Sequence, residues 1–145
     1  MSSDVLPAAA ADDANQPATI LIVEDDPFVA SFIEEILTES GLRVVGIAST
    51  GNEALSLAEE IRPHLALVDI RLSGPLDGIE LACLMRDKFD VPAIFLSGLS
   101  DPDTQRRAQA AQALGFLHKP FRPSEVFNVI DRALQQPSPK RLASG

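Results

Sequence analysis

Tryptophan and tyrosine are absent from this 145-residue chain, cysteine occurs once and histidine twice. Each scarcity closes a possibility. A single cysteine, Cys83, allows no intramolecular disulfide, and its neighbours Leu81, Ala82, Leu84 and Met85 read it as a buried structural thiol in a reducing compartment. His64 and His118 have no second imidazole or thiol at metal-ligand spacing, so both read as structural. With seven phenylalanines as the only aromatics, the core must be mainly aliphatic. Positive charge is also scarce: 12 Lys and Arg stand against 21 Asp and Glu, a formal charge of −9 that repels a polyphosphate backbone and favours metal cations and basic partners. No apolar run approaches bilayer length, and no basic n-region precedes the alanines of the first segment, so the expectation is a cytoplasmic protein without membrane contact.

What is present is a regular alternation. Apolar runs at 19–24, 43–48, 65–69, 93–97 and 115–118 read as strands, separated by helical patterns. Five strands alternating with five helices predict an α/β domain: a parallel sheet with helices on both faces. The length fits one domain. Residues 1–17 and 137–145, rich in Ala, Asp, Pro and Ser without periodicity, read as flexible tails around a folded unit at 18–136.

The helices announce their starts. Asp26-Pro27 places a cap before a proline, and Phe28, Phe32, Ile33, Ile36 and Leu37 follow as an apolar stripe. Asp77-Gly-Ile-Glu80 has capping-box spacing, and Asp101-Pro102 repeats the first start. The fourth helix, Thr104 to Ala113, is mostly Ala, Gln and Arg, so its buried face is thin; its Arg106-Arg107 reads as solvated surface. Pro123-Ser-Glu125 opens the last helix, with Val126, Phe127, Val129, Ile130 and Leu134 as its core face.

Three strands end on charge: Ile20-Leu-Ile-Val23 on Glu24-Asp25-Asp26, Leu65-Ala-Leu-Val68 on Asp69, and Gly115-Phe-Leu-His118 on Lys119. In a parallel sheet these ends meet at the carboxyl edge, where open α/β folds present ligands. Carboxylates about 5 Å apart repel by a few kcal/mol at an effective dielectric near 20, and a divalent cation offsets this. Hard oxygen ligands with room for water and phosphate oxygens suit Mg²⁺. One carboxylate can then attack phosphorus, with the lysine and the Ser97 hydroxyl at the same edge.

These residues resemble the receiver domain of two-component response regulators. The resemblance covers about 19–134 and rests on Glu24-Asp25-Asp26-Pro, Leu-Ala-Leu-Val-Asp69, Phe-Leu-Ser97-Gly and Lys119-Pro120-Phe121; Asp69 follows Asp25 by 44 residues and Lys119 follows Ser97 by 22. It implies a flavodoxin-like, doubly wound five-stranded sheet in the order 2-1-3-4-5. It also implies a phosphoacceptor, Asp69, and Mg²⁺ held by Asp25, Asp69 and the Arg71 carbonyl, with Glu24 acting through water. Lys119 and Ser97 would assist the transfer, and Ser97 with Phe116 would form the switch pair. The implied partners are a sensor histidine kinase or phosphotransferase and an output protein met by the face of the fourth helix, fifth strand and fifth helix. The chain would be a monomer or a phosphorylation-dependent dimer, and no enzyme beyond handling its own phosphoryl group. With only a short tail after residue 136 and no DNA-binding domain, output would pass through protein contacts, or the chain would serve as a phosphate shuttle or sink.

Two features depart from the common pattern. The loop from Arg71 to Gly78 is one residue longer, and Arg71 and Leu99 occupy positions that flank the hydrolytic water's path in this family, which implies slowed autodephosphorylation. Three other readings are weaker. A Mg²⁺-dependent phosphohydrolase of the haloacid dehalogenase type would carry an aspartate where Arg71 stands. A flavin carrier would need a phosphate loop after the first strand and a Trp or Tyr for the ring. An unphosphorylated interaction module leaves the intact acidic site without a purpose.

Overall fold

The computed structural model describes residues 16–98 and 101–136. The expected tails, apart from 16 and 17, and the expectation for Leu99 lie outside the described residues. The elements run β1 (Thr19–Val23), α1 (Pro27–Glu39), β2 (Arg43–Ala48), α2 (Gly51–Ile61), β3 (Leu65–Asp69), α3 (Gly78–Phe89), β4 (Ala93–Ser97), α4 (Pro102–Ala110), β5 (Gly115–His118) and α5 (Pro123–Leu134). All five strands are parallel, in the order β2-β1-β3-β4-β5. This is the flavodoxin-like arrangement expected from the sequence.

The period-2 geometry of a strand divides the apolar residues between two cores. Ile20, Ile22, Leu65, Leu67, Ile94, Leu96 and Leu117 face α1 and α5, meeting Ile33, Leu37, Val126 and Ile130. Leu21, Val23, Ala66, Val68, Ala93 and Phe95 face the other way, toward Ala54, Ala58, Ile79, Met85 and Ala108 of α2, α3 and α4. Because both faces are covered, β3 and β4 are buried throughout and read as unbroken apolar runs rather than alternating ones.

The helix starts form as the side chains dictate. Asp26 caps α1 by accepting from the Phe28 N–H at 2.9 Å, and Asp77 with Glu80 closes a reciprocal capping box on α3. Asp101 accepts from the Thr104 N–H at 2.7 Å.

Several core expectations are corrected. Phe28 is 83% exposed and Phe32 41%, so the buried stripe of α1 is Ala30, Ile33, Ile36 and Leu37. Phe28 occupies the first turn with its ring in solvent, and Phe32 stacks on Phe121, ring centroids 6.1 Å apart. On α5, Phe127 and Leu134 are also exposed, leaving Val126, Ile130 and Ala133 buried. Cys83 is half-buried at the rim of one core rather than fully buried. The fourth helix ends at Ala110, earlier than Ala113, because Gln112 takes a left-handed backbone (φ 59°). As its composition implied, only Ala108 of α4 is buried.

Candidate functional site

Strand register brings the charged ends together. Val23 lies opposite Val68, which puts Glu24 level with Asp69; Asp69 lies opposite Leu96, and Ser97 opposite His118, which puts Lys119 one step beyond Ser97. The carboxyl edge at β1 and β3 is where the strand order reverses, the place where open α/β sheets bind ligands.

Glu24, Asp25 and Asp69 each offer a carboxylate oxygen, and these oxygens lie within 4.8 Å of one another. Glu24 and Asp69 are 2% and 6% exposed, while Asp25 is exposed. Lys119 Nζ donates to Glu24 Oε1 at 3.0 Å and to Asp69 Oδ2 at 3.2 Å. It stands just before a cis Lys119–Pro120 bond. The Arg71 N–H donates to Asp69 Oδ1 at 3.0 Å, and the Asp26 N–H to Glu24 Oε2 at 3.0 Å. Asp26 itself is spent on the cap of α1.

The electrostatics show which way the site leans. Burial pushes the Glu24 carboxyl up from its ordinary value, more than the Asp26 N–H and Lys119 pull it down, and the Asp69 charge adds to the rise. Burial alone would lower Lys119, but the hydrogen bond it donates to Glu24 and the Asp69 charge outweigh it and hold the ammonium above its ordinary value. Lys119 therefore stays charged, yet its single charge faces three carboxylates. Oxygen donors at this spacing, short of positive charge, fit a hard divalent cation such as Mg²⁺.

Ser97 ends β4, and Phe116 lies within the neighbouring β5. Ser97 is buried, its hydroxyl donating to the Gly98 carbonyl at 3.2 Å. Phe116 is 37% exposed, its ring tilted against Phe95 with centroids 5.9 Å apart. A cavity of about 170 Å³ lies between these two residues and α4, bounded also by Ile70, Ala108 and His118.

Three contacts of this region escape the strand-end pattern. Ser73 Oγ donates to Asp25 Oδ2 at 2.9 Å. Gly78 packs so closely that a Cβ there would stand 2.0 Å from the Asp69 carbonyl oxygen. Arg107, expected as solvated surface, donates to Asp77 Oδ2 at 2.9 Å and ties α4 to the cap of α3. All three join segments separated along the chain, and none left a mark in the sequence.

The Asp77 pair carries a pH signature. Burial alone would raise the Asp77 carboxyl, but the Glu80 N–H and the Arg107 guanidinium outweigh it and hold it below its ordinary value of 3.8. A carboxyl lowered by folding stabilises the native state above that ordinary value, and the contribution is lost as the pH falls through the folded value. Half-exposed Arg107 leaves the pair screened by solvent, so the effect is small. Asp77→Asn is expected to flatten the decline of the urea midpoint below pH 3.8 while Arg106→Ala leaves it unchanged.

An open parallel sheet with an acidic, lysine-bearing carboxyl edge at its switch point defines a flavodoxin-like α/β domain. The family model for the response regulator receiver domain matches residues 20–131, and the chain belongs to that family. Transcriptional regulatory protein PdtaR of Mycobacterium tuberculosis is 35% identical over 124 residues, covering 86% of this chain and 60% of that protein. The phyllosphere-induced regulator PhyR of Methylorubrum extorquens is 34% identical over 133 residues, 90% of this chain and 49% of its own length. This chain thus spans about half to three-fifths of those relatives. Among solved structures, the signal receiver domain of a modulated diguanylate cyclase from Desulfovibrio desulfuricans G20 superposes with a TM-score of 0.79 at 34% identity, covering 83% of this chain and 95% of that one. Among the described residues, no helix is long and apolar enough to cross a membrane.

Proposed function

We propose that this chain is a phospho-accepting signalling switch in which Asp69 is the acceptor. The observation that carries the reading is Asp69 itself: a nearly buried carboxylate with one oxygen held by Lys119, the other by the Arg71 N–H, and two further carboxylates beside it. Asp69 attacks the phosphorus of a phosphohistidine on a sensor histidine kinase or phosphotransferase. The bond from phosphorus to the donor nitrogen breaks as the acyl phosphate forms. Asp25, Asp69 and the Arg71 carbonyl would hold Mg²⁺, with Glu24 bound through water; the ion supplies charge neutralisation on the phosphoryl oxygens. Lys119, already placed against Asp69, keeps its positive charge beside the incoming group.

The consequence passes to α4, β5 and α5. Ser97 turns its hydroxyl from the Gly98 carbonyl to the phosphoryl group, and the half-exposed Phe116 ring moves into the adjoining cavity. The thin buried face of α4 makes it the element most readily displaced, and a bias of a few kcal/mol between two states is enough to remodel the face. The chain catalyses nothing beyond its own phosphorylation and dephosphorylation.

Beryllofluoride with Mg²⁺, followed by amide NMR, tests this. Shifts are expected at Asp69, Ser97 and Phe116 and along α4, β5 and α5. Unchanged resonances at Asp69 with beryllofluoride present would refute the acceptor assignment, and shifts confined to the acidic edge would refute the switch.

A further inference from the structure

We propose that Ser73 is a positioning residue that holds the Asp25 carboxylate ready for the divalent cation, an inference that rests on the metal assignment made above. Its hydroxyl reaches across 48 positions of sequence to donate to Asp25 Oδ2 at 2.9 Å, joining the β3–α3 loop to the β1–α1 loop.

The need for such a contact follows from the three carboxylates. Glu24 and Asp69 are buried and each accepts a backbone N–H as well as the Lys119 ammonium, so their orientations are set by the fold. Asp25 is exposed, and burial does nothing to select among its rotamers. A hydroxyl on Oδ2 selects one. It occupies one of about four lone-pair positions on an ionised carboxylate and leaves the rest for the cation.

The β3–α3 loop delivers the hydroxyl. Leu72 before it is buried, Leu76 after it packs on Gly51 at the start of α2, and Gly74 turns the chain with a φ of 103°. These anchors hold the exposed Ser73 in place from both sides.

The experiment is calorimetric titration of the full chain with MgCl₂ near neutral pH, comparing the parent with Ser73→Ala, Ser73→Thr and Asp25→Asn. Removing a group that orients a metal ligand commonly costs 10- to 100-fold in affinity, and for an exposed ligand Ser73→Ala is expected to raise the Mg²⁺ Kd by about tenfold. Ser73→Thr, which keeps the hydroxyl, restores the parent Kd. With acetyl phosphate as donor, the Mg²⁺ concentration for half-maximal phosphorylation rises in step with the Kd. Unchanged or tighter Mg²⁺ binding in Ser73→Ala overturns the inference, as does failure of Ser73→Thr to restore it. Asp25→Asn separates the two levels: if it too binds Mg²⁺ like the parent, the metal assignment itself fails, whereas weakened binding there beside an unaltered Ser73→Ala removes Ser73 alone.

Discussion

Asp69→Asn is expected to reduce phosphoryl incorporation from acetyl phosphate to background while the chain stays folded. The amide is not a nucleophile toward phosphorus, so the covalent step is lost outright rather than slowed. The fold should tolerate the change because the asparagine oxygen can still accept the Arg71 N–H that now reaches Oδ1 at 3.0 Å. Lys119 retains Glu24 as its partner at 3.0 Å. One buried negative charge is removed, and with it one of the influences that push the Glu24 carboxyl up. Intact-mass measurement under acidic conditions, where acyl phosphates persist, reads the result. Persistent incorporation in Asp69→Asn would assign the acceptor elsewhere.

Gly78→Ala is expected to be the most destabilising single-methyl change near the site. A Cβ built there meets the Asp69 carbonyl oxygen at 2.0 Å and the backbone of Ile70 at 2.9 Å. None of these is the end of a flexible side chain, so α3 or the end of β3 must move. The Gly78 N–H also donates to the Ile70 carbonyl at 3.1 Å, which resists the displacement. Forced overpacking of this kind costs about 3 kcal/mol, at or beyond the upper end of what an added methyl usually costs. Urea unfolding of Gly78→Ala against the parent measures it. Since the atom displaced belongs to Asp69, phosphorylation should fall as well; a variant with parental stability would show that the helix start yields more readily than its packing indicates.

How much of this was legible in the sequence differs residue by residue. Glu24, Asp69 and Lys119 stood out because each directly follows a short strand-like run, and a parallel sheet carries such ends to a common edge. The caps at Asp26, Asp77 and Asp101 were legible for a local reason: each cap bonds a backbone N–H two or three positions on, and nothing distant is involved. Phenylalanine misled the reading. Phe28, Phe32 and Phe127 share helical spacing with buried neighbours, but whether an apolar helical residue meets the sheet depends on where the helix axis lies over it.

Patterning and local chemistry, then, determined by themselves the α/β alternation, the family, the helix starts and the acidic edge, because period, capping and strand ends are written within a few neighbouring residues. Tertiary structure alone decided that Ser73 reaches Asp25, that Arg107 reaches Asp77 and that Gly78 lies against the backbone of Asp69. Those contacts join separate loops and helices, and their distances follow from strand register and packing of the whole sheet. A serine or an arginine carries no mark in sequence of the carboxylate it will meet across the fold.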